Sequence, residues 1–180
     1  QISKLRKLKR LFYRPIDIFS SRMLNFLVIT PTKALAEETS KYLFIEFNKI
    51  KIIPNGIELN RQYTDLKDTS YPSICMLGTL GRQKGQHLAL EGMFKLIKRF
   101  PDVHLNIVGD GELKDYLSDE IINLQLENNV HLLGRVEDPF QVLKKADIFW
   151  HLSITEGMPL SIIEAMAIGL PVVGFNVEGV

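Results

Sequence analysis

From residue 73 onward the chain alternates between short apolar runs and longer stretches whose apolar residues recur at helical spacing. Short apolar runs are typical of strands buried on both faces, and strands that alternate with helices form parallel sheets covered by helices. The pattern therefore predicts an α/β fold with a parallel sheet between two helical layers. The predicted strands are Ile74–Thr79, His104–Val108, Val130–Leu133, Ile148–Leu152 and Pro171–Phe175, and the predicted helices are 84–99, 112–126, 140–145 and 159–168.

The first part of the chain contains fewer elements of the same kind. Phe26–Thr30 is predicted to be a buried strand, residues 31–48 a helix, and Lys51–Pro54 a short strand closed by the turn pair Asn55-Gly56. So few elements cannot bury a core of their own. We therefore divide the chain into residues 1–56 as the C-terminal part of an N-terminal domain, 57–72 as an interdomain linker and 73–180 as an incomplete second domain.

Residues 1–14 contain six basic residues, no acidic residue and apolar residues at helical spacing. This pattern predicts a basic amphipathic helix. Such a helix can contact an anionic membrane surface, or it can pack its apolar stripe on a neighbouring domain. Both interpretations need the apolar stripe, and we favour packing.

Composition limits the classes of protein that fit. The net charge of +1 provides no general attraction to nucleic acid, and no apolar run reaches the roughly 18 residues of a membrane-spanning helix. Cys75 is the only cysteine, which excludes an internal disulfide and favours a reducing compartment. We predict a cytoplasmic protein, located at the cytoplasmic face of the membrane if the basic segment contacts lipid. Because the chain begins with Gln1 and ends just after a predicted strand, we expect a fragment of a longer protein.

The loop after the first strand of this sheet, Gly78-Thr-Leu-Gly-Arg-Gln-Lys-Gly85, combines glycines with two cations, Arg82 and Lys84. Ligands of parallel sheets bind beyond the carboxyl ends of the strands, and glycine allows a close backbone approach. The helix dipole disfavours cations at a helix N-terminus but favours a bound anion there. The loop therefore favours a phosphate site, with a solvated basic turn as the alternative, and it lacks the spacing of a Walker loop.

Two glutamates, Glu156 and Glu164, lie in a segment that is otherwise almost wholly apolar. Pro159 and Gly169 mark the start and the end of a predicted helix, and a helix that is apolar all round is a buried helix. Glu164 lies within this helix, where a carboxylate is costly unless a partner hydrogen-bonds it. We predict that Glu164 faces a ligand, with a solvated helix face as the alternative.

Three further sequence features indicate a function less specifically than this loop and these two glutamates do. Gly109-Asp110-Gly111 lacks the third glycine of a dinucleotide fingerprint, since Lys114 occupies that place, and Asp110 is therefore predicted to be a helix N-cap. Gly134-Arg135-Val136 can offer backbone groups to a base. The four histidines show no metal-ligand spacing and are predicted to be polar or core residues, namely His87, His104, His131 and His151.

Taken together, these motifs resemble the family-4 retaining glycosyltransferases of GT-B fold. Glu156-Gly-Met-Pro-Leu-Ser-Ile-Ile-Glu164 is similar to the Glu-x7-Glu signature of that family, and residues 164–173 continue the similarity. Gly78–Gly85 resembles its Gly-Arg-Leu…Lys-Gly loop, and Ile53-Pro-Asn-Gly-Ile57 resembles its entry to the interdomain linker. The resemblance covers nearly the whole chain from Phe26 and implies a Rossmann-like donor domain in a truncated GT-B fold.

The resemblance implies a role for each matching residue. Lys84 would hold the donor diphosphate, Glu164 would bind the ribose hydroxyls, and Glu156, the candidate catalytic residue, would contact the transferred sugar. Thr79 stands where the family usually has an arginine that pairs with the diphosphate, and Arg82 is the candidate replacement. The other donor-binding residues implied are Gly78 in the phosphate loop, Gly157, Met158, Pro159 and Leu160 around the helix N-terminus, and Arg135 and Val136 in the base pocket.

The implied activity is transfer of a sugar from a UDP- or GDP-linked donor to a carbohydrate or lipid-linked acceptor. Configuration would be retained, no metal or other cofactor would be needed, and the pathway would be surface polysaccharide or lipopolysaccharide biosynthesis. The alternatives are a GT-B nucleotide-sugar epimerase or phosphorylase, or an inactive nucleotide-sugar-binding fragment. We expect no nucleic-acid partner and no transferase activity from the fragment alone.

Overall fold

The computed structural model describes residues 18–19, 27–58, 71–177 and 179. Up to Val177 the described residues form two compact units, divided between Asn55 and Gly56. The predicted basic helix over residues 1–14 and residues 59–70 of the predicted linker lie outside the described residues.

The described residues of the first unit include a short parallel strand pair and the helix that connects its two strands. Strands β1 (Val28–Thr30) and β2 (Ile50–Ile52) are connected through helix α1 (Lys33–Leu43). Helix α1 begins after Thr32, whose side-chain oxygen accepts a hydrogen bond from the backbone N–H of Leu35 at 3.2 Å. Among the described residues of this unit, Ala36, Ile45 and Ile50 form a buried apolar cluster.

The second unit is built on a five-stranded parallel sheet. Its strands are β3 (Ser73–Leu77), β4 (His104–Val108), β5 (Val130–Gly134), β6 (Ile148–His151) and β7 (Val172–Gly174). Its helices are α2 (Gln86–Leu96), α3 (Lys114–Asn123), α4 (Pro139–Leu143) and α5 (Leu160–Ala167). The strand order across the sheet is β5-β4-β3-β6-β7, so that β3 lies at the centre.

Both faces of this sheet are covered, because successive residues of a strand point to opposite faces. Ile74 and Met76 of β3 pack with residues of α2 and α3, whereas Cys75 packs with residues of α4 and α5. Burial raises the pKa of the Cys75 thiol to about 12, so the thiol stays protonated at neutral pH. The two covered faces confirm the predicted α/β class.

The order and type of the predicted strands and helices are confirmed within the second unit, but the start of α3 differs. Asp110 is not its N-cap, because the residue before the helix is Leu113 and the Asp110 carboxylate accepts a hydrogen bond from the Gly111 N–H at 2.9 Å. The physical reason is a competing contact: the backbone between Asp110 and Leu113 is hydrogen-bonded to Leu80, which delays the helix.

The prediction that α5 is buried all round is wrong. Only Ala165 of this helix is fully buried, whereas Met166 is 66% exposed and Leu160 is 47% exposed. Ile162 and Ala165 pack toward the sheet, so the helix has one covered side. Apolar composition does not by itself place a residue inside, since folded proteins expose much apolar surface.

Among the residues that the structure describes, no helix is long and apolar enough to cross a membrane.

Candidate active site

Three loops follow parallel strands at the same edge of the sheet. We call them loop 1 (Gly78–Gly85, after β3), loop 2 (Gly109–Leu113, after β4) and loop 3 (Leu152–Pro159, after β6). The carboxyl ends of parallel strands lie at one edge, which is where α/β sheets bind ligands. Loop 1 contacts both of the others through its backbone.

Loops 1 and 3 touch without intervening side chains. The Ile154 N–H donates a hydrogen bond to the Gln83 carbonyl oxygen at 2.9 Å. Gly85 has a φ of +73°, and a Cβ atom added there would lie 2.1 Å from the Leu152 carbonyl oxygen. Position 85 therefore requires glycine for its left-handed conformation and for the space that the contact leaves.

Loops 1 and 2 are joined in a similar way. The Leu80 N–H donates to the Asp110 carbonyl oxygen at 3.0 Å, and the Leu113 N–H donates to the Leu80 carbonyl oxygen at 3.1 Å. Gly109 has a φ of +141°, and a Cβ atom there would lie 1.9 Å from the Gly78 carbonyl oxygen. Gly109, which is the first glycine of the incomplete dinucleotide fingerprint, thus allows loops 1 and 2 to pack closely.

A short ion pair connects loop 1 to loop 3. Lys84 Nζ lies 2.6 Å from Glu156 Oε1, and the lysine side chain is 33% exposed while the glutamate side chain is 10% exposed. The sequence predicted both residues as ligand contacts, in different roles, but it did not predict this pairing. The structure brings them together through the backbone contact between the two loops.

Glu156 has two further polar neighbours, His151 and Ser153, which are both buried. His151 Nε2 lies 3.2 Å from Glu156 Oε1 without forming a full hydrogen bond. Burial acts to raise the pKa of the Glu156 carboxyl, but hydrogen bonds from Lys84 and Ser153 and the lysine charge outweigh burial and lower the pKa. Glu156 is therefore a charged carboxylate at neutral pH.

The His151 imidazole is held neutral. Burial lowers the pKa of His151, and the nearby Lys84 charge lowers it further, whereas the charge of Glu156 acts in the opposite direction. A neutral imidazole carries one proton and can donate one ring N–H. Glu156 thus has one charged neighbour and two neutral neighbours.

The N-terminus of α5 completes this edge of the sheet. Pro159 is its N-cap residue, and no side chain caps the first N–H groups of the helix. The Ile162 N–H donates to the Pro159 carbonyl oxygen at 3.3 Å, and the N–H groups of the first turn give a helix N-terminus partial positive charge. Loop 3 therefore leads from Glu156, through the partly buried Gly157 and Met158, to a helix end suited to an anion.

The other predicted site residues occupy the ends of neighbouring elements. Arg82 is exposed in the 3₁₀ turn Arg82–Lys84, and Glu164 is partly buried in the second turn of α5. Arg135 is exposed and Val136 is partly buried just after β5, whose last residue, Gly134, has a φ of +66°. The structure places all of them in the second unit.

Sequence reasoning missed three buried polar residues of the site, His151, Ser153 and Gln86. Gln86 begins α2, and its side-chain N–H₂ donates to the Thr79 carbonyl oxygen at 3.1 Å. The available signal for His151 was its position, since it ends the apolar strand run Ile148-Phe-Trp-His151 just before loop 3. A polar residue at the carboxyl end of a buried strand is a candidate for a site of this fold.

Two other histidines contact each other at the opposite edge of the sheet. His104 Nδ1 lies 3.0 Å from His131 Nε2, near the amino ends of β4 and β5. Within the described ranges, no group of three or more His, Cys, Asp or Glu side chains is arranged to hold a metal ion.

Comparison with known sequences decides the family. The sequence profile described as "Glycosyl transferases group 1" matches residues 61–180. The chain belongs to this family. The match includes all three loops and the Lys84–Glu156 pair.

The curated proteins similar to this chain include an enzyme whose name states its donor. The chain is 32% identical, over 98% of its length and 49% of the relative's, to the UDP-Gal:alpha-D-GlcNAc-diphosphoundecaprenol alpha-1,3-galactosyltransferase of Escherichia coli. It is 38% identical, over 70% of its length and 34% of the relative's, to an uncharacterised glycosyltransferase of Methanocaldococcus jannaschii. The chain thus spans about a third to a half of the length of these relatives.

Solved structures of GT-B glycosyltransferases have the same fold as this chain. A TarM mutant of S. aureus, in complex with UDP, Fondaparinux and alpha-GlcNAc-glycerol, superposes with a TM-score of 0.79 at 26% identity. That match covers 89% of this chain and 31% of TarM. Anabaena HepE in complex with UDP and glucose superposes with a TM-score of 0.73 at 26% identity, over 85% of this chain and 45% of HepE.

Proposed function

We propose that this group 1 chain contains the donor site of a family-4, retaining glycosyltransferase that acts without a metal ion. The donor would be a UDP- or GDP-linked sugar, and the acceptor a carbohydrate or a lipid-linked carbohydrate of surface polysaccharide or lipopolysaccharide synthesis. The observation that carries the proposal is the Lys84–Glu156 pair, at 2.6 Å, whose carboxylate lies in the loop that leads into the N-terminus of α5. It combines a reachable cation, a carboxylate that is only 10% exposed and a helix end that favours an anion.

The proposed division of roles follows the order of these groups along the edge. Lys84, with Arg82 from the same loop, would bind the donor diphosphate together with the first N–H groups of α5. Glu156 would contact the transferred sugar, and Glu164, one helical turn inside α5, would bind the ribose hydroxyls. Gly134 to Val136, which follow β5, would line the base pocket.

The proposed chemistry is stabilisation of the leaving group. Negative charge develops on the diphosphate as the bond to the sugar breaks, and fixed positive groups offset this charge without having to reorganise. Lys84 is paired with Glu156 at 2.6 Å and would turn from that carboxylate toward the diphosphate when the donor binds. The N–H groups of α5 supply the second part of the positive field.

UDP is the first nucleotide to test. The names of the relatives support it, because the Escherichia coli enzyme is described as using UDP-Gal and the TarM and HepE structures are complexes with UDP. A division into an acceptor domain that ends near residue 56 and a donor domain from residue 73 is part of the proposal. A cytoplasmic location also stays a prediction. Membrane contact through residues 1–14 is the alternative to the packing that we favour for that segment.

The proposal is tested by calorimetric titration of the chain with UDP, GDP and their sugar conjugates. We expect the wild type to bind at least one of these nucleotides, and Lys84→Ala to weaken that binding about ten- to a hundredfold. This estimate rests on the roughly 1.5–3 kcal/mol that a hydrogen bond to a charged group contributes. Lys95→Ala, an exposed lysine of α2, is the matched control and should bind as the wild type does.

If the wild-type chain bound none of these nucleotides, that result would refute the proposed donor site. Equal affinities of Lys84→Ala and the wild type would remove Lys84 from the diphosphate site. Thermal unfolding of each variant shows whether a loss of binding reflects a loss of folding. Retention is tested separately, by the anomeric configuration of the product that the full-length protein forms.

A further inference from the structure

His151 is a polar side chain on an otherwise apolar strand face. It is 4% exposed, and Phe149, which lies on the same face of β6, is fully buried in the cluster beneath α4 and α5. A buried imidazole is costly unless its N–H finds a partner. An apolar side chain would suit this position better if packing were the only requirement.

The polar contact described for the His151 ring is with Glu156. The 3.2 Å between His151 Nε2 and Glu156 Oε1 is within reach of a hydrogen bond, but a full hydrogen bond is not formed. Lys84 Nζ lies 2.6 Å from the same oxygen atom and donates a hydrogen bond to it. Oε1 of Glu156 thus has a close charged partner and a more distant neutral partner.

An anionic ligand changes the balance between these two partners. If Lys84 turns toward a diphosphate, the Glu156 carboxylate, 10% exposed, loses its cationic partner. A buried carboxylate without a partner is strongly unfavourable. His151 and Ser153 already lie beside Glu156 and can replace the interaction that Lys84 gives up. Both are neutral, so neither would attract the diphosphate away from Lys84.

We propose that His151 is a positioning residue that donates its Nε2–H to Glu156 when Lys84 engages the donor diphosphate. His151 then keeps the Glu156 carboxylate directed at the transferred sugar. This inference rests on the proposed donor site. It goes beyond that proposal by assigning a task to a buried side chain that does not itself touch the donor.

The first test needs no ligand. The proposal requires the tautomer of His151 with its proton on Nε2, which long-range ¹H–¹⁵N NMR of the uniformly ¹⁵N-labelled chain at pH 7.5 identifies, with His151→Gln to assign the signal. We expect the Nε2–H tautomer in the wild type and in Lys84→Met. An imidazole protonated on Nδ1 in both proteins would overturn the proposal, because its Nε2 could not donate to Glu156.

The second test compares the nucleotide with the nucleotide sugar. The chain is titrated with UDP and with UDP-galactose, UDP-glucose and UDP-N-acetylglucosamine, or with GDP and GDP-mannose if GDP is the nucleotide bound, and the tightest conjugate is used. We expect His151→Phe to weaken binding of the conjugate about tenfold, or about 1.4 kcal/mol, and to change binding of the free nucleotide less than twofold. His151→Gln, which keeps a donor near the Nε2 position, should restore most of the loss.

The outcomes separate this inference from the proposed function. If the wild type binds neither nucleotide nor conjugate, the proposed function fails, and the tautomer alone then decides whether His151 supports Glu156. If the wild type binds and His151→Phe weakens nucleotide and conjugate equally, or binds both as the wild type does, the positioning role is wrong. His131→Gln, at the amino edge of the same sheet, is the control for replacing a partly buried histidine.

Discussion

Glu156 keeps its charge in a place that little water reaches. Burial acts to raise the pKa of its carboxyl, and hydrogen bonds from Lys84 and Ser153 together with the lysine charge reverse that effect. A carboxylate of this kind depends on its partners, since removal of one partner leaves a buried charge uncompensated. The chemistry of the site is therefore a property of the Lys84–Glu156 pair rather than of either residue alone.

Glu156→Gln should raise the affinity of the chain for UDP severalfold, by about 0.5–1.5 kcal/mol. The substitution removes a negative charge beside the proposed diphosphate site and releases Lys84 from its 2.6 Å contact. Calorimetric titration with UDP measures the effect, and Glu91→Gln on the exposed side of α2 is the matched control. A lower affinity for UDP would mean that Glu156 serves mainly to hold Lys84 in place.

At the scale of single residues, the sequence indicated candidate site residues more successfully than it indicated the contacts between them. Lys84 and Glu156 stood out because a cation at a helix start and a carboxylate in an apolar segment both need a reason. Their pairing was not predictable, because it joins residues 72 positions apart through loops whose approach only the folded backbone defines. His151 and Ser153 did not stand out, since a single histidine or serine in a buried strand is usually a core residue.

At the scale of elements, loop 1 is fixed by its two neighbours. Loop 2 holds it through backbone hydrogen bonds at Leu80, and loop 3 holds it through the bond from Ile154 to Gln83. Neither contact uses a side chain, so the position of Lys84 relative to Glu156 depends on backbone geometry. Glycine is the residue that permits such an approach.

Gly85→Ala should destabilise the chain by about 2–4 kcal/mol and weaken nucleotide binding as well. The new Cβ atom would meet the Leu152 carbonyl oxygen at 2.1 Å, and alanine is strained at a φ of +73°. Urea unfolding measures the change in the free energy of unfolding.

Gly81→Ala is the matched control in the same loop. Gly81 has an extended backbone with a φ of −150°, and a Cβ atom there meets nothing within 4 Å. We expect its stability to stay within about 1 kcal/mol of the wild type or to rise slightly, because alanine restricts the unfolded chain. Similar losses in the two variants would show that loop 1 and loop 3 do not touch as described.

The elements themselves were largely predictable from periodicity. Strands buried on both faces give continuous apolar runs, and β4 spans the predicted residues His104–Val108. Helix ends were less predictable, because loop contacts compete with capping, as at Asp110. The exposure of Met166 was not predictable either, since an apolar pattern does not state which side of a helix is covered.

At the scale of the whole molecule, two histidines, His104 and His151, act on stability in the same direction. The pKa of His151 is lowered chiefly by burial, and that of His104 chiefly by burial together with the neighbouring His131. Below their ordinary value of 6.5, the unfolded chain binds protons that the folded chain does not. The free energy of unfolding should therefore fall as the pH falls below 6.5.

Glu156 adds a second range of acid sensitivity. Its folded pKa is lowered, so its stabilising contribution is complete above the ordinary value of 4.5 and is lost as the pH falls through the lower folded value. Urea midpoints measured at pH 7.5, 5.5 and 4.0 should decrease in that order.

A double variant, His104→Gln with His151→Gln, tests the contribution of the two histidines. It should lose less stability than the wild type between pH 7.5 and 5.5, and an unchanged loss would contradict the prediction.

The bond from Ile154 to Gln83 also bears on how this chain can diverge. It is made by backbone atoms, while the Ile154 side chain is 56% exposed and Thr155 beside it is exposed as well. Either side chain can change without loosening the contact that places Lys84 near Glu156. Substitutions at positions 154 and 155 can therefore accumulate without disturbing that pair, whereas positions 85 and 109 accept almost no residue other than glycine.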